Sequence, residues 1–434
     1  MDIAIIIGAI AALVCLIVAF RFFHKKRLID DLPTSKVLGV FIGLVELKGI
    51  AESELPLTSR LAGTSCVLYE WHVDEHWSRT VTETYRDAQG HMQTRTRHES
   101  GWKTVARGSD SASFYLKDDT GIIRIQPEGA KIEDKEVFDK TVTRTDALYF
   151  GKGPANEIAN TDHRRRLQET AIQLHTPLYV VGQARQREDI VAAEVANDKN
   201  NQLFITSTRT EKQVSTGFGI WLWVWAVVGL ILAVAGVLTA NLTKPPLLRM
   251  NWEPYVIAVG GYIFIMAVGW IWTVFNSLIG LRQRVQQAWA QVDIQLKRRY
   301  DLIPNLIEAV EGYATHEREV QELVTKLRQQ MTATPPGVAG PDYSGFAPSL
   351  RATVEQYPNL KASELFLKLQ QSLTETEQRI ALARDYFNNI ASFYNARLEI
   401  VPDRLIASSM KLRPQTLLGA TDFERAPVQV KLAD

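Results

Sequence analysis

Three stretches without one charged side chain, residues 3–20, 218–240 and 255–275, limit what this chain can fold into. An apolar helix of roughly 20 residues crosses about 30 Å of hydrocarbon, so each stretch is long enough to span a bilayer. Arg21, Lys25, Lys26 and Arg27 follow the first stretch at once, whereas a cleaved leader carries its basic residues ahead of the apolar run. That order predicts an uncleaved anchor. Three crossings place residues 36–214 and everything after residue 275 on one face. Basic residues near the spans on that face are Arg21, Lys25, Lys26, Arg27, Arg209, Lys212, Arg282 and Arg284, against Lys244 and Arg249 on the other. The bias predicts that both soluble parts are cytoplasmic, the periplasm being the alternative; the expected location is a bacterial inner membrane, crossed more than once. Trp221, Trp223 and Trp225 open the second run and Trp270 and Trp272 close the third, which makes an aromatic belt at one interface.

Residues 36–214 read as a β-rich globular domain. Within 67–77, Val67, Tyr69, Trp71, Val73 and Trp77 alternate with Glu70, His72, Asp74 and His76, and only Glu75 interrupts the apolar side. Period two marks a half-buried strand. Turn residues at 87–90, 117–121 and 127–129 separate further strands, with a hairpin joining 114–116 to 121–125. A helix is expected over residues 164–174, and strands over 178–183 and 203–206. The stretches Gly43-Leu-Val-Glu-Leu-Lys-Gly49, Leu55-Pro-Leu-Thr-Ser59, Cys66-Val-Leu-Tyr-Glu-Trp71, Phe114-Tyr-Leu-Lys-Asp-Asp-Thr-Gly121, Leu178-Tyr-Val-Val-Gly182 and Leu203-Phe-Ile205 resemble the GIDE, or beside-a-membrane, domain of mitochondrial membrane-anchored RING ubiquitin ligases. In that family the domain lies between two spans, as here, and faces the intermembrane space. Ligase chemistry there belongs to a RING with many Cys and His ligands. After Gly217 this chain offers only His316, so the resemblance does not imply ligase activity.

Beyond the third apolar run the three-and-four spacing continues without a breaker through Leu278, Leu281, Val285, Ala288 and Val292, so the membrane helix is expected to run on into a helical bundle. A second set, Leu306, Val310, Tyr313, Val320, Val324 and Leu327, predicts a second helix, capped by Asp301 with Pro304 in its first turn and the chain reorienting between them. Residues 332–342 read as a linker, and 348–357 as a short helical piece. Phe366, Leu369, Leu373, Thr376, Ile380, Ala383, Phe387, Ile390 and Tyr394 then form a heptad seam roughly 42 Å long. That seam is longer than the second helix can cover, so Phe387 and Tyr394 at its end are expected to meet a second copy, which predicts a homo-oligomer. Ala288-Trp289, Asp293, Gln295, Arg298-Arg299, Asp301-Leu-Ile-Pro-Asn-Leu306, Gly312-Tyr313, His316-Glu317 and the run from Glu377 to Asn388 closely resemble the LemA family over residues 275–403. The resemblance implies a membrane-tethered antiparallel helical bundle and no active site.

The sequence offers little chemistry. Lysine and arginine number 49 against 48 acidic residues, so no nucleic-acid partner is expected. With only Cys15 and Cys66, neither a disulfide framework nor a Cys-type zinc site can be assembled. No Gly-x-Ser-x-Gly elbow or phosphate-binding glycine loop occurs, so no catalytic, cofactor or metal residues are assigned and a non-enzyme is expected. His72, Asp74 and His76 have metal-compatible spacing but read as the solvated face of their strand. Asp293, Arg298, Arg299, Asp301, Asn305, His316 and Glu317 form a polar set about the expected helix junction, either an ion-paired corner or a patch for a partner or lipid headgroup.

The expected architecture is an α+β membrane protein. It has spans at 3–20, 218–240 and 255–275, a β-rich domain at 36–214, an antiparallel helical bundle at 276–403 and a tail at 404–434. The expected function is a self-associating scaffold or assembly protein in contact with membrane lipids. The alternative is a binding module whose β domain engages a peptide, a lipid or a membrane-protease partner.

Overall fold

A computed structural model describes residues 3–86, 92–133, 135–187, 189, 192–198, 203–242, 252–311 and 364–418. The chain divides into two compact units, residues 35–214 and the remainder.

The first unit is built on a closed barrel. Strands β2 (Gly43–Glu52), β6 (Phe114–Lys117), β7 (Ile122–Ile125), β11 (Pro177–Gln186) and β12 (Ala193–Ala196) pair in the cycle β2-β6-β7-β12-β11-β2. All pairings are antiparallel except β7 with β12, and closure leaves these five strands no free edge. A small closed five-stranded mixed barrel is the architecture of the OB-fold. Alternation fills its interior with Val45, Leu47, Phe114, Leu116, Ile123, Ile125, Val180 and Val195. The hairpin expected around residue 118 is present: Asp118 Oδ1 accepts the N–H groups of Thr120 and Gly121 and fixes the turn. Strands β1 (Thr34–Ser35), β8 (Lys131–Glu133) and β13 (Ile205–Ser207) extend the same sheet.

A second sheet grows from the connections of the barrel. Its centre is β4 (Ser65–Arg86), flanked by β5 (Met92–Ser111) on one side and β10 (Thr161–Gln173) on the other; β3 (Leu57–Thr58) and β9 (Lys135–Thr143) complete it, and the short helix α2 (Ala147–Gly151) follows β9. Residues 164–174, expected as a helix, thus lie almost wholly in strand β10. Its burial has period two, since Arg165, Leu167, Glu169 and Ala171 are buried between more exposed neighbours, and two of those four inward residues are charged. Both tryptophans of β4 face a glycine of β5: Trp71 opposes Gly108 and Trp77 opposes Gly101. A Cβ on Gly108 would stand 2.8 Å from the Trp71 indole nitrogen. Gly108→Val is therefore expected to displace Trp71 and lower stability by about 1–3 kcal/mol, read as a fall in the melting temperature of the detergent-solubilised chain. An unchanged midpoint would show that the indole has room to move.

The second unit is helical. Helices α1 (Ile3–Asp30), α3 (Glu211–Leu242) and α4 (Glu253–Glu311) are each long and apolar enough to cross a membrane. Ile7, Trp223 and Phe264 stand 61%, 62% and 69% exposed, an apolar surface suited to lipid. Where these helices meet, small residues bring the backbones together. A Cβ on Gly8 would lie 2.8 Å from the Gly236 Cα, and Tyr262 of α4 donates its hydroxyl to the Ala226 carbonyl of α3 at 2.6 Å.

Helix α4 carries the third apolar run on into the helical hairpin as one 59-residue helix, as its unbroken periodicity predicts. It also passes through Pro304, where a reorientation between two helices was expected. An interior proline costs about 3 kcal/mol through the lost N–H and a clash with the carbonyl four residues back, and the packing of α4 on α5 (Glu364–Glu399) along their length outweighs it. Leu278, Leu281, Val285, Ala288, Val292 and Leu296 face Leu373, Thr376, Ile380, Phe387, Ile390 and Tyr394, all buried. Leu398 packs near Leu278, Phe387 on Trp289, and Glu377 on Arg299, so the two helices run antiparallel. Helix α6 (Asp403–Ser409) closes the end of the hairpin with Ile406 and Ala407 against Val274 and Leu278.

Candidate functional site

The residues proposed from sequence do not gather into one site. Among the polar set, Arg299 is 5% exposed and faces Glu377 of α5 at 3.6 Å inside the hairpin, whereas Arg298, Asp301 and Asn305 point outward and Asp293 is half-buried. His316 and Glu317 lie outside the described residues. Phe387 and Tyr394, expected at an uncovered end of the seam, are 4% and 0% exposed, with Phe387 edge-on to Trp289 at 5.4 Å. They form the interior of the α4–α5 interface, because the cover comes from α4 and not from a separate second helix.

On β4, His72 meets the Gln168 amide at 2.9 Å, Asp74 accepts from Thr104 at 2.6 Å, and His76 meets Asp162 at 2.6 Å. Each partner belongs to a neighbouring strand or to β10 itself. Among the described residues no group of three or more His, Cys, Asp or Glu side chains is placed to hold a metal ion. Cys66 is fully buried, and burial, with the nearby Glu169 carboxylate, pushes its thiol up to about 11. At pH 8 roughly one thiol in a thousand is ionised at that value, so the native protein is expected to resist iodoacetamide at Cys66 until it is unfolded. Cys66→Ala is expected to cost about 1 kcal/mol through packing alone. Rapid native alkylation at Cys66, followed by mass spectrometry, would contradict both expectations.

Two polar clusters escaped the reading of the sequence. On the barrel, a cavity of about 430 Å³ is lined by Lys48, Tyr179, Arg209 and Glu211 among others. Lys48 Nζ lies 2.7 Å from Glu211 and 3.3 Å from Glu46, and the Tyr179 hydroxyl donates to the fully buried Glu46 at 2.8 Å. Burial works against the Lys48 charge, but Glu211 and Glu46 outweigh it and hold the ammonium above its usual range. In the helical unit, the end of α1 is tied to the last helices. Arg27 donates to Asp403 at 2.8 Å, Arg397 donates to Asp31 at 2.9 Å, and Arg397 stands 3.6 Å from the other Asp403 oxygen. Ser277 of α4 adds a 3.3 Å bond to Asp31. Arg27 and Asp31 read in sequence as the charged flank of a span, and their partners lie 376 and 366 residues away.

These features define a membrane-associated protein in which a β-barrel domain and a helical hairpin are joined to three apolar helices. Residues 288–432 match the LemA family, and residues 82–240 match a family described as E3 Ubiquitin ligase, GIDE. A protein from Metamycoplasma hominis named Protein LemA is 24% identical over 174 residues, covering 38% of this chain and 80% of that protein. The LemA match takes in α4 from residue 288 onward with α5 and α6, and the GIDE match runs from late β4 through most of α3. No solved structure matches the chain.

Proposed function

We propose that this is a non-enzymatic, membrane-anchored assembly protein whose barrel domain provides the binding surface and whose LemA-like hairpin provides the frame. One observation carries the reading: among the described residues, deeply buried carboxylates are held by partners inside the fold. Glu75 is bound by Arg165, Glu169 by the backbone N–H groups of Leu61 and Ala62, and Asp403 by Arg27. Groups held in this way keep a fold together and are not free to transfer protons. The GIDE match lends its family's name but not ligand chemistry, since only Cys15 and Cys66 occur in these 434 residues. Self-association through Phe387 and Tyr394 has no free surface to use, as both lie inside the hairpin. The barrel cavity beside Lys48 is the natural seat for a peptide, lipid or membrane-protein partner.

The basic bias flanking the spans supports a cytoplasmic placement of both soluble parts. Reporter fusions after Lys212 and after Asp434 should be active only as cytoplasmic reporters; activity of a periplasm-dependent reporter at either point reverses the orientation. For function, the full chain is purified in mild detergent, its mass measured and its co-purifying proteins identified. A stable partner lost on Lys48→Glu supports the reading, and a substrate turned over by the purified chain alone overturns it.

A further inference from the structure

The node at the end of α1 contains more positive charge than its carboxylates neutralise. A cavity of about 50 Å³ opens between α1 and α4, lined by His24, Arg27, Asp31, Asn276, Ser277 and Arg284. Arg27 is 7% exposed; one of its terminal nitrogens, Nη2, binds Asp403, and the other, Nη1, is buried with no hydrogen-bond partner. Asp31 is already engaged by Arg397 and Ser277. Three guanidinium groups, of Arg27, Arg284 and Arg397, thus stand against two carboxylates, of Asp31 and Asp403; Arg27 and Arg397 hold both carboxylates, and Arg284 lines the cavity beside them. A buried excess charge with an orphaned N–H is costly, and an anion beside it removes both costs at once.

Size and depth narrow the choice. One water needs roughly 10–15 Å³ by a comparable measure, so the cavity has room for three or four waters or one tetrahedral oxyanion. On α1 the lining residues begin four positions after the apolar run ends at Phe20, and on α4 one position after it ends at Phe275. At about 1.5 Å per residue the first lining residues lie roughly 2–6 Å, and Arg27 and Arg284 roughly 10 and 13 Å, beyond the apolar runs; side chains on a helix lean toward its N-terminus, here toward the hydrocarbon, so both arginines reach back to the headgroup layer. We propose that this cavity binds the phosphate of an anionic phospholipid headgroup, with Arg27 Nη1 and the Arg284 guanidinium as its donors and Asn276 and Ser277 beside them. The proposal rests on the reading of α1 and α4 as membrane helices. The recognised chemistry is a phosphate oxyanion, and the position of the cavity favours a lipid over free phosphate.

The test uses the full chain in dodecyl maltoside at constant ionic strength. Thermal unfolding is followed while dihexanoyl phosphatidylglycerol or, separately, inorganic phosphate is added. The lipid should raise the midpoint saturably, and native mass spectrometry should find a bound lipid that survives desalting. In Arg284→Met the half-saturating lipid concentration should rise at least tenfold, whereas Arg298→Met, which removes an exposed charge from the same helix, should leave it unchanged. Gly280 also lines the cavity, and a Cβ there would meet no atom within 4 Å. Gly280→Leu should therefore fill the space, keep or raise the midpoint of the lipid-free protein, and abolish lipid protection, so the test holds even if Arg284→Met folds poorly. Equal protection by lipid in Gly280→Leu, or equal losses in Arg284→Met and Arg298→Met, overturns the site. Protection by inorganic phosphate without protection by lipid overturns the lipid as its source. Carbonate extraction of membranes separates the two readings: a chain released by carbonate refutes the membrane helices themselves, while a retained chain without lipid protection refutes only the headgroup site.

Discussion

Replacing Arg165 with Met is expected to unfold the β domain. The guanidinium makes two bonds to Glu75, at 3.1 and 2.9 Å, and reaches the carbonyls of Tyr149, Pro154 and Asn156 at 2.7–2.9 Å. Both charged side chains are fully buried, and the guanidinium also lies 4.0 Å over the Tyr149 ring. Removing it leaves a buried carboxylate with only the Tyr149 hydroxyl, together with three carbonyls that lose a donor. Breaking such a pair from one side costs about 3–5 kcal/mol, much of the 5–15 kcal/mol that typically stabilises a domain. Replacing both charges, Glu75→Met with Arg165→Met, should recover a large part of the loss, since no buried charge then remains. Circular dichroism melts of the full chain in detergent decide it. A single variant within about 1 kcal/mol of the parent would show that the pair is not needed.

Phe387→Glu should open the helical hairpin. Phe387 packs edge-on against Trp289 between the buried Ile380 and Ile390 of the same seam, so a carboxylate there would be desolvated without a cation in place. The loss of apolar burial and the buried charge together cost several kcal/mol, enough to separate α5 from α4. Limited proteolysis should then cut within α5 while the barrel domain stays resistant. A variant that keeps its hairpin and only changes its mass in detergent would put Phe387 back at a contact between copies.

The two predictions also show what the sequence could and could not reveal. The seam of α5 and the apolar runs were legible because their inward residues are apolar and their period is unmistakable. Strand β10 was hidden because two of its inward positions are Arg165 and Glu169. Their partners, Glu75 and the N–H groups of Leu61 and Ala62, are 90, 108 and 107 residues away, so a polar run that faces a core resembles a helix with a wet face. Glu75 looked like a flaw in an otherwise apolar side for the same reason. Pro304 gave the opposite error, a local signal strong enough to suggest a corner yet weaker than the packing of a 59-residue helix along α5. The cover over Phe387 has no local signal for the same reason, since it comes from the continuation of the third apolar helix. Neither the barrel closure nor the Lys48 cavity has any local signature, because both depend on which strands meet.

The joint between α1 and the last two helices sets an order of events during synthesis. Arg27 and Asp31 are made well ahead of their partners, since Arg397 and Asp403 follow 366 and 376 residues later. At about 5–20 residues per second the wait is roughly 20–75 s, during which the end of the first helix holds its charges in water or against lipid headgroups. The helical unit therefore reaches its final form only after residue 403 has been made. A ribosome that stalls before residue 397 leaves the start of the molecule without the residues that finish it.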